Sequence, residues 1–244
     1  MAAQFDASEF TVSKTKPLPV VLLLDTSGSM YGDKISSLND AVRKMLRTFM
    51  KEESQAKEFL VSIITFGGTA SLAYQPTPAS GLAYTNLSAD AGTPLGAAID
   101  LAKTLIEDRE QTPSRAYRPL VVLVSDGVPT DSWESKLDYF IRDGRSAKCD
   151  RMALGIGREA YDGPGRVTLE RFIAGTEHRV FEAEDAGEIH NFFKFVTMSV
   201  VSRSLSQNPN DVPKDSTLQS PQPGAAPAAP AQAATTAGEE DSYW

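Results

Sequence analysis

Asp25, Ser27 and Ser29 stand at alternate positions in the stretch LLLDTSGSM, where an apolar run gives way to a carboxylate and two serine hydroxyls. Alternate residues of a strand share a face, so these three oxygens can converge on one point as the chain leaves a buried strand. Oxygen ligands suit hard cations. Mg²⁺ takes six of them and usually keeps some of its water, so a partial cage of protein ligands is expected. The motif indicates a cation site with an open position.

The same nine residues also fit an ordinary turn between a strand and a helix, because Asp, Ser and Gly favour turns and Asp or Ser can cap helices. Two later stretches favour the metal site. Thr93 in GTPLGAA and Asp126 in LVSDGVPTD both stand where a loop is expected to meet a helix or a strand. Thr93 taken alone could also be the N-cap of the following helix. The candidate metal ligands are therefore Asp25, Ser27, Ser29, Thr93 and Asp126.

The composition is that of an ordinary protein of 244 residues, long enough for one sizeable α/β core and an appendage. The formal net charge of −8 argues against a nucleic-acid partner, which would need a concentrated basic face. The single cysteine, Cys149, cannot form an internal disulfide and is expected to be buried. No secretory signal is visible, and no apolar run of about 18 residues occurs. We therefore expect a cytoplasmic protein that does not bind membranes.

Apolar periodicity predicts the elements that must position the ligands. Residues 18–24 are entirely apolar, which is typical of a central strand covered on both faces in a parallel sheet. From Asp33 to about Glu53, apolar residues recur every three or four positions and predict a helix with Asp33 as its cap. Residues 59–66 predict a second strand, and Gly67-Gly68 predicts a hairpin to an antiparallel edge strand.

The rest of the chain continues the alternation of strands and helices. Residues 75–92 are expected to form a long loop, followed by a helix with Leu95 and Ile99 on its buried face. Further buried strands are predicted at residues 119–124, 151–156 and 179–182. Further helices are predicted at residues 133–145, 167–174 and 186–204. This order specifies a doubly wound, mostly parallel α/β sheet, in which ligands bind beyond the carboxyl ends of the strands.

The composition changes at about Leu205, where prolines begin to recur within an Ala-rich run. Such a segment buries too little surface to offset its ordering entropy, so we expect a disordered or extended tail. Its last residues, GEEDSYW, combine three acids with two aromatic residues and fit either a peptide ligand or a solvated tail. The expected organisation is a lead-in over residues 1–16, one domain over 17–204 and the tail over 205–244.

These motifs resemble those of the von Willebrand factor A superfamily, whose metal-ion-dependent adhesion site has the same residue types in the same order. Longer strings resemble one branch of it, the bacterial tellurium-resistance or TerY-like proteins. The strings are LLLDTSGSM with GDKI after it, TFGG, GTPLGAAID, YRPLVVLVSDGVPTDSW and SVVSRS. They cover most of residues 17–204 and leave the tail outside the resemblance.

By that resemblance, the hydroxyls of Ser27, Ser29 and Thr93 would bind Mg²⁺, or in its place Mn²⁺ or Ca²⁺, while Asp25 and Asp126 would act directly or through water. A protein partner would supply a Glu or Asp carboxylate to the vacant position. Similar bacterial proteins are often encoded beside a protein kinase and a PP2C-type phosphatase. The resemblance thus implies a non-enzymatic scaffold in a stress-response or defence pathway.

The expected partner surface surrounds the open metal position. It combines Met30 and Tyr31 with residues 76–92 and 128–133. Tyr31 and Trp133 could supply the apolar anchors that interfaces favour, or could instead belong to the core.

Enzymatic functions are weaker alternatives. The G-x-G-x-x-A string at residues 155–160 follows a strand, but Gly and Pro at 163–165 interrupt the helix that a dinucleotide site needs. No G-x-S-x-G elbow or P-loop occurs, and only His178 and His190 are available as bases. A metal-assisted hydrolase stays open, because a cation with a free position can activate water. Largely neutral hydroxyl ligands, however, suit the capture of an anion better than the formation of a nucleophile.

Overall fold

In the computed structural model, which describes residues 16–54 and 57–210, six strands form one sheet. The strands are β1 (Pro17–Asp25), β2 (Glu58–Gly67), β3 (Thr69–Pro78), β4 (Leu120–Ser125), β5 (Asp150–Ile156) and β6 (Val180–Ala183). The helices are α1 (Asp33–Glu52), α2 (Leu95–Glu107), α3 (Glu134–Arg142), α4 (Arg158–Tyr161), α5 (Pro164–Ile173) and α6 (Ala186–Leu205). Three short 3₁₀ turns join them, at Gly28–Met30, Ala79–Gly81 and Ser146–Lys148.

The strand order is β3-β2-β1-β4-β5-β6, which confirms the prediction of a doubly wound, mostly parallel sheet. Strand β1 pairs in parallel with β2 on one side and with β4 on the other. Strand β3 pairs antiparallel with β2 through the hairpin at Gly67-Gly68, as the sequence predicts, and forms one edge. The carboxyl ends of β1 and β4 therefore lie side by side, at the position where the strand order reverses.

Alternate residues of β1 enter two different core layers. Leu18, Val20, Leu22 and Leu24 pack with α1 and α6 on one face of the sheet. Val21 and Leu23 pack with α2, α3 and α5 on the other face. Because both faces are covered, β1 needs apolar side chains at every position, and this explains its unbroken apolar run. The strand is thereby fixed on both sides up to Asp25, where the polar motif begins.

Three local predictions differ from the structure. The cap position of α1 is occupied by Gly32 with φ 86°, and Asp33 is the first helical residue, so the prediction of Asp33 as the cap is wrong. The expected loop at residues 75–92 begins later, because β3 continues to Pro78 and the 3₁₀ turn follows it. Helix α3 is shorter than expected and ends at Arg142.

Other expectations concern burial and the ends of the chain. Cys149 is buried, as expected, and burial raises the pKa of its thiol to about 12. No helix in the described part of the chain is long and apolar enough to cross a membrane. The predicted lead-in over residues 1–16 and the predicted tail over residues 205–244 lie outside the described residues, except for residue 16 and residues 205–210.

Candidate metal centre

The D-x-S-x-S motif forms a tight turn directly after β1. Asp25 is the last residue of the strand, and its Oδ1 accepts a hydrogen bond from the Ser27 backbone N–H at 2.8 Å. The 3₁₀ turn Gly28–Met30 follows and delivers the chain into α1. Asp25 and Ser27 are buried, whereas Ser29 is exposed. The motif therefore runs from the core to the surface within five residues.

A second carboxylate comes from the neighbouring strand. Asp126 follows β4 immediately, and its Oδ1 accepts a hydrogen bond from the Ser29 hydroxyl at 2.7 Å. The hydroxyl oxygens of Ser27 and Ser29 are 3.1 Å apart. Ser125, the last residue of β4, donates its hydroxyl to Asp25 Oδ2 at 2.6 Å. Four of the five candidate ligands thus form one hydrogen-bonded group across the ends of β1 and β4.

Thr93 lies on the loop before α2 and is held against the segment that follows β4. Its N–H donates to the Thr130 hydroxyl at 2.9 Å, and its carbonyl accepts from the Thr130 N–H at 3.0 Å. Thr93 is buried, and its own hydroxyl forms no hydrogen bond with any described residue. The alternative role as an N-cap is not observed, since Pro94 occupies the cap position. Its hydroxyl oxygen is therefore available to a ligand.

The start of α2 is capped from a distance. The two carboxylate oxygens of Asp131 accept hydrogen bonds from the N–H groups of Gly96 and Ala97, each at 2.9 Å. An acid at a helix N-terminus satisfies orphan donors and interacts favourably with the helix dipole. Asp131 thus ties the segment after β4 to α2, and so fixes the loop that carries Thr93.

Backbone hydrogen bonds join the loops to one another. The Thr26 carbonyl accepts from the Asp90 N–H at 2.6 Å, and the Gly92 carbonyl accepts from the Gly68 N–H at 3.2 Å. A Cβ at Gly67 would overlap the backbone carbonyl of Thr26, so the hairpin approaches the motif as closely as glycine permits. The geometry of the turn is therefore set largely by the main chain.

A buried amide anchors the far side of the Thr93 loop. Asn39 of α1 donates from Nδ2 to the Leu87 carbonyl at 2.9 Å and accepts from the Leu87 N–H at 2.8 Å. The Tyr84 hydroxyl donates to the same Asn39 oxygen at 2.6 Å. The loop is consequently pinned to the first helix, although it has little regular secondary structure.

Lys34 supplies the counter-charge for Asp126. Its ammonium nitrogen lies 2.5 Å from Asp126 Oδ2, and the Asp126 side chain is fully buried while that of Lys34 is 37 % exposed. Lys34 stands in the first turn of α1, so the helix that follows the motif places a positively charged side chain beside the site. Without this ammonium, the two buried carboxylates would face one another with only hydroxyls and the Ser27 backbone N–H as donors.

The Asp25 carboxyl is fully buried and accepts hydrogen bonds from Ser27 and Ser125. Burial raises its pKa above the ordinary value, and the negative charge of Asp126 adds to this effect. Hydrogen bonds from Ser125 and Ser27 oppose the increase, because they favour the ionised form. A bound cation would favour that form further, since it is an opposite charge at short range.

The chemistry of these donors fits a hard divalent cation. Asp25, Asp126 and the hydroxyls of Ser27, Ser29 and Thr93 offer oxygen atoms only, which suit Mg²⁺, Mn²⁺ or Ca²⁺. No cluster of three or more His, Cys, Asp or Glu that could hold a metal occurs within residues 16–54 and 57–210. The site therefore differs from the Cys and His clusters that hold structural zinc.

Three residues of the site had no assigned role in the sequence analysis. They are Lys34 in the string GDKI, Ser125 directly before Asp126, and Asp131 in the string that follows β4. A hydroxyl residue directly before a candidate ligand in the sequence is a signal from which a hydrogen-bonding role of Ser125 can be predicted. The role of Lys34 depends on the direction of α1 relative to β4, which the sequence does not reveal.

The residues of the expected partner surface differ in their exposure to solvent. Tyr31 is 81 % exposed and Val128 is also exposed, so both can meet a partner. Met30 is buried in the core, which excludes it from that surface. Trp133 is partly buried against the layer that contains α2, and the Arg171 guanidinium lies 5.5 Å from its ring centroid. Its role is thus chiefly in packing.

The G-x-G-x-x-A string and the two histidines, which the sequence offers for enzymatic functions, make structural contacts. Helix α4 after the G-x-G-x-x-A string has only four residues, and Gly157 adopts φ 80°. His178 lies 3.2 Å from Asp150 at the start of β5, the opposite end of the sheet from Asp25. His190 contacts the carbonyl of Ala186 within its own helix at 2.6 Å. Neither histidine forms a hydrogen bond with the candidate ligands.

Comparison with known proteins shows which domain family part of the chain resembles. Residues 20–128 match the family model described as von Willebrand factor type A domain. This match, which covers less than half of the chain, and the order of the six strands together support a von Willebrand factor A-like fold. The matched residues include all five candidate ligands.

Individual relatives share the domain rather than the whole protein. The mouse inter alpha-trypsin inhibitor, heavy chain 4, is 25 % identical over 213 residues, which are 81 % of this chain and 22 % of that protein. This chain thus spans about a fifth of the length of the curated relatives it matches in this group.

Solved structures share the fold at low sequence identity. A von Willebrand factor type A protein from Catenulispora acidiphila is 19 % identical with a TM-score of 0.57, over 76 % of this chain and 42 % of that one. Proximal thread matrix protein 1 from the mussel byssus, solved with a zinc-occupied MIDAS motif, is 15 % identical with a TM-score of 0.54. That match covers 77 % of this chain and 48 % of the mussel protein.

Proposed function

We propose that this chain is a divalent-cation-dependent protein-interaction domain. Asp25, Ser27, Ser29, Thr93 and Asp126 would hold the cation, with Mg²⁺ as the first candidate and Mn²⁺ or Ca²⁺ as alternatives. A Glu or Asp carboxylate of a protein partner would occupy the open position. The domain acts by binding and not as an enzyme.

One observation carries the proposal. Ser27, Ser29, Asp25 and Asp126 form a single hydrogen-bonded group at the adjacent ends of β1 and β4, and the unpaired Thr93 hydroxyl lies on a loop fixed beside them. The mussel protein, which shares the fold, was solved with a zinc-occupied MIDAS motif, and this supports the proposal of a metal site in this chain. Two charges of opposite sign at short range attract strongly where water is excluded, so the buried carboxylates favour a cation there.

The proposed partner chemistry follows from the charges at the surface of the site. Three of the five ligands are neutral hydroxyls, so they compensate little of the charge of a divalent cation. An anionic oxygen at the open position therefore gains most of the local attraction. One such contact is weak on its own, because binding costs motional freedom and displaces water. The exposed Tyr31 and Val128 can add apolar contact area around it.

The finer assignment rests on the sequence resemblance alone. The strings shared with TerY-like proteins favour a cytoplasmic scaffold that works with a protein kinase and a PP2C-type phosphatase in a stress-response or defence pathway. Binding assays between the purified chain and the kinase or phosphatase encoded beside its gene would test this assignment. Absence of such neighbours, or of binding to them, would remove this finer role and leave the metal-dependent domain intact.

Thermal unfolding with and without Mg²⁺ tests the metal site. A ligand that binds only the native state stabilises it, by about 2.7 kcal/mol when its concentration is 100 times Kd. We expect Mg²⁺ to raise the midpoint, and Asp25→Ala or Ser29→Ala to abolish the increase. Ser36→Ala is the matched control, because its hydroxyl bonds only within the first turn of α1. An unchanged midpoint at millimolar Mg²⁺, Mn²⁺ and Ca²⁺ would contradict the proposal.

A pull-down tests the partner mechanism. The chain is used as bait with Mg²⁺, with chelator, and as the Thr93→Ala variant in the presence of Mg²⁺. Thr104→Ala, on the exposed side of α2, controls for the loss of a threonine. A specific partner should be retained by the wild type and by Thr104→Ala with Mg²⁺, and lost with chelator or with Thr93→Ala. Equal retention under all conditions would refute a metal-dependent contact.

A further inference from the structure

A basic pocket lies at the amino ends of β4 and β5, the edge of the sheet opposite the candidate metal centre. Its volume is about 630 Å³, and its walls include Tyr117, Arg118, Arg145, Lys148 and Asn210. Tyr117 donates its N–H to the carbonyl of Pro17 at the start of β1, at 2.9 Å. The pocket is therefore distinct from the metal site and separated from it by the length of the strands.

The positive charges of this pocket have no acidic partners within the described residues. Arg145 donates to the carbonyls of Ile106 at 2.6 Å and Pro113 at 3.4 Å. The Arg118 guanidinium and the Lys148 ammonium form no hydrogen bond or ion pair within residues 16–54 and 57–210. In a chain with a formal net charge of −8, a group of cations without carboxylates indicates a site for an anion.

A fully buried arginine supports the pocket from beneath. Arg203 of α6 has an exposed fraction of 0 %; its Nε donates to the Pro209 carbonyl at 3.0 Å and its Nη2 to the Arg118 carbonyl at 2.6 Å. Its Nη1 is buried with no hydrogen-bond partner among the described residues, and so is Nε of Arg118. Asp150 is close enough to Arg203 to interact with its charge, and its Oδ2 lies 3.2 Å from His178 Nε2.

Unmet buried donors are rare in folded proteins and are costly when no acceptor is present. Arg118, which lines the pocket, has such a donor, and so does Arg203, which lies behind the lining. Together with the unpaired charges of Arg118 and Lys148, the donor of Arg118 points to an acceptor that bears negative charge. Arginine binds carboxylates with paired hydrogen bonds, which makes a peptide rich in Glu and Asp a suitable ligand.

We propose that the pocket binds the acidic segment of the same chain, Glu239, Glu240 and Asp241. Asn210 lines the pocket and accepts a hydrogen bond from the Arg118 N–H at 2.8 Å, so the described part of the chain ends at the pocket itself. Residues 211–238 connect it to the acids. A chain of that length can reach roughly 90 Å when extended, far more than the distance required. Tethering also raises the effective concentration of the segment to about the millimolar range.

A fluorescent peptide measures this interaction in trans. The probe is the amidated peptide TTAGEEDSYW, corresponding to residues 235–244, and its binding is followed by fluorescence anisotropy. The acceptors are the full wild-type chain and the full chain with E239Q/E240Q/D241N, whose own segment cannot compete. We expect the neutralised chain to bind the peptide at least about tenfold more tightly than the wild type, because the tethered segment blocks the wild-type pocket.

Variants of the pocket locate the binding site. R118Q/K148Q in the neutralised chain should weaken peptide binding at least about tenfold, because it removes two cations that have no structural partners. K44Q/R47Q on α1 changes the net charge equally and should leave binding unchanged. Raising the salt from about 0.05 to about 0.5 M should weaken binding, since screening acts strongly over this range. Chelator should have no effect, which separates this proposal from the metal site.

Several results would overturn the proposal. They are absence of peptide binding to the neutralised chain, equal binding to the wild type and the neutralised chain, and equal binding to the R118Q/K148Q and K44Q/R47Q variants. Binding of inorganic phosphate without binding of the peptide would identify a site for small anions instead. Undiminished binding of the peptide TTAGQQNSYW would show that the acids are not recognised.

Discussion

Replacement of Lys34 by Met should destabilise the metal-free protein and strengthen its binding of a divalent cation. Met retains the length and helix propensity of the Lys stem but removes the ammonium that lies 2.5 Å from Asp126 Oδ2. The buried Asp126 carboxylate then lacks its positive partner until a cation binds. Lys34 thus acts as an internal competitor for the charge that the cation would neutralise.

The size of this effect follows from the burial of the two partners. Loss of one partner of a fully buried pair costs about 3–5 kcal/mol, whereas an exposed pair contributes less than about 1 kcal/mol. The Asp126 side chain is fully buried and that of Lys34 is 37 % exposed, so we expect an intermediate cost of about 1–3 kcal/mol. If a cation takes over the role of the ammonium, the same free energy is regained on binding, which corresponds to roughly a 5- to 150-fold increase in affinity.

Two measurements test whether Lys34 and the cation compete for Asp126. Denaturant unfolding with chelator gives the loss of stability, and calorimetric titration with Mg²⁺ or Mn²⁺ gives the affinity. Lys44→Met, on the exposed side of the same helix, is the control and should change neither quantity greatly. An affinity within about twofold of the wild type, or below it, would refute competition between Lys34 and the cation. A loss of stability without that gain would assign Lys34 a purely structural role.

Further predictions concern the supports of the site. Asp131→Ala should lower the free energy of unfolding by about 1–2 kcal/mol, measured with denaturant, because α2 loses two cap hydrogen bonds. Gly67→Ala should reduce both stability and Mg²⁺ affinity, since the new Cβ must displace the Thr26 carbonyl; an unchanged affinity would show that the turn adapts. Cys149 should resist alkylation in the native state and react after unfolding, because the pKa of its thiol is about 12. For the same reason its contribution to stability should decrease as the pH rises from 9.0 towards 12.

The features predicted well from sequence are those determined locally. The unbroken apolar run of β1 needs no knowledge of its neighbours, and Gly67-Gly68 marks the hairpin by its conformational freedom alone. The carboxyl end of β3 is harder to predict from sequence. Pro76 and Pro78 suggest a loop, but β3 is an edge strand, where proline is tolerated because one side of the strand has no partner.

The contacts around the metal motif could be predicted only in part. Residue types and strand ends bring Asp25 and Asp126 together, because parallel strands place their carboxyl ends at one edge of the sheet. The ion pair from Lys34 and the cap from Asp131 depend on how α1 and α2 are oriented over that edge. Spacing in the sequence carries no information on those angles, so the sequence alone predicts neither contact.

The pairing of β1 with β4 has a consequence for the order of folding. Asp25 and Ser125 are joined by a hydrogen bond across 100 positions of sequence, and the hairpin and α2 lie between them. Such distant pairing is slow, because the loop must close before its contacts stabilise anything. During synthesis, the first half of the site leaves the ribosome well before the second. A cation held by both Asp25 and Asp126 therefore stabilises only states in which β1 and β4 already lie side by side.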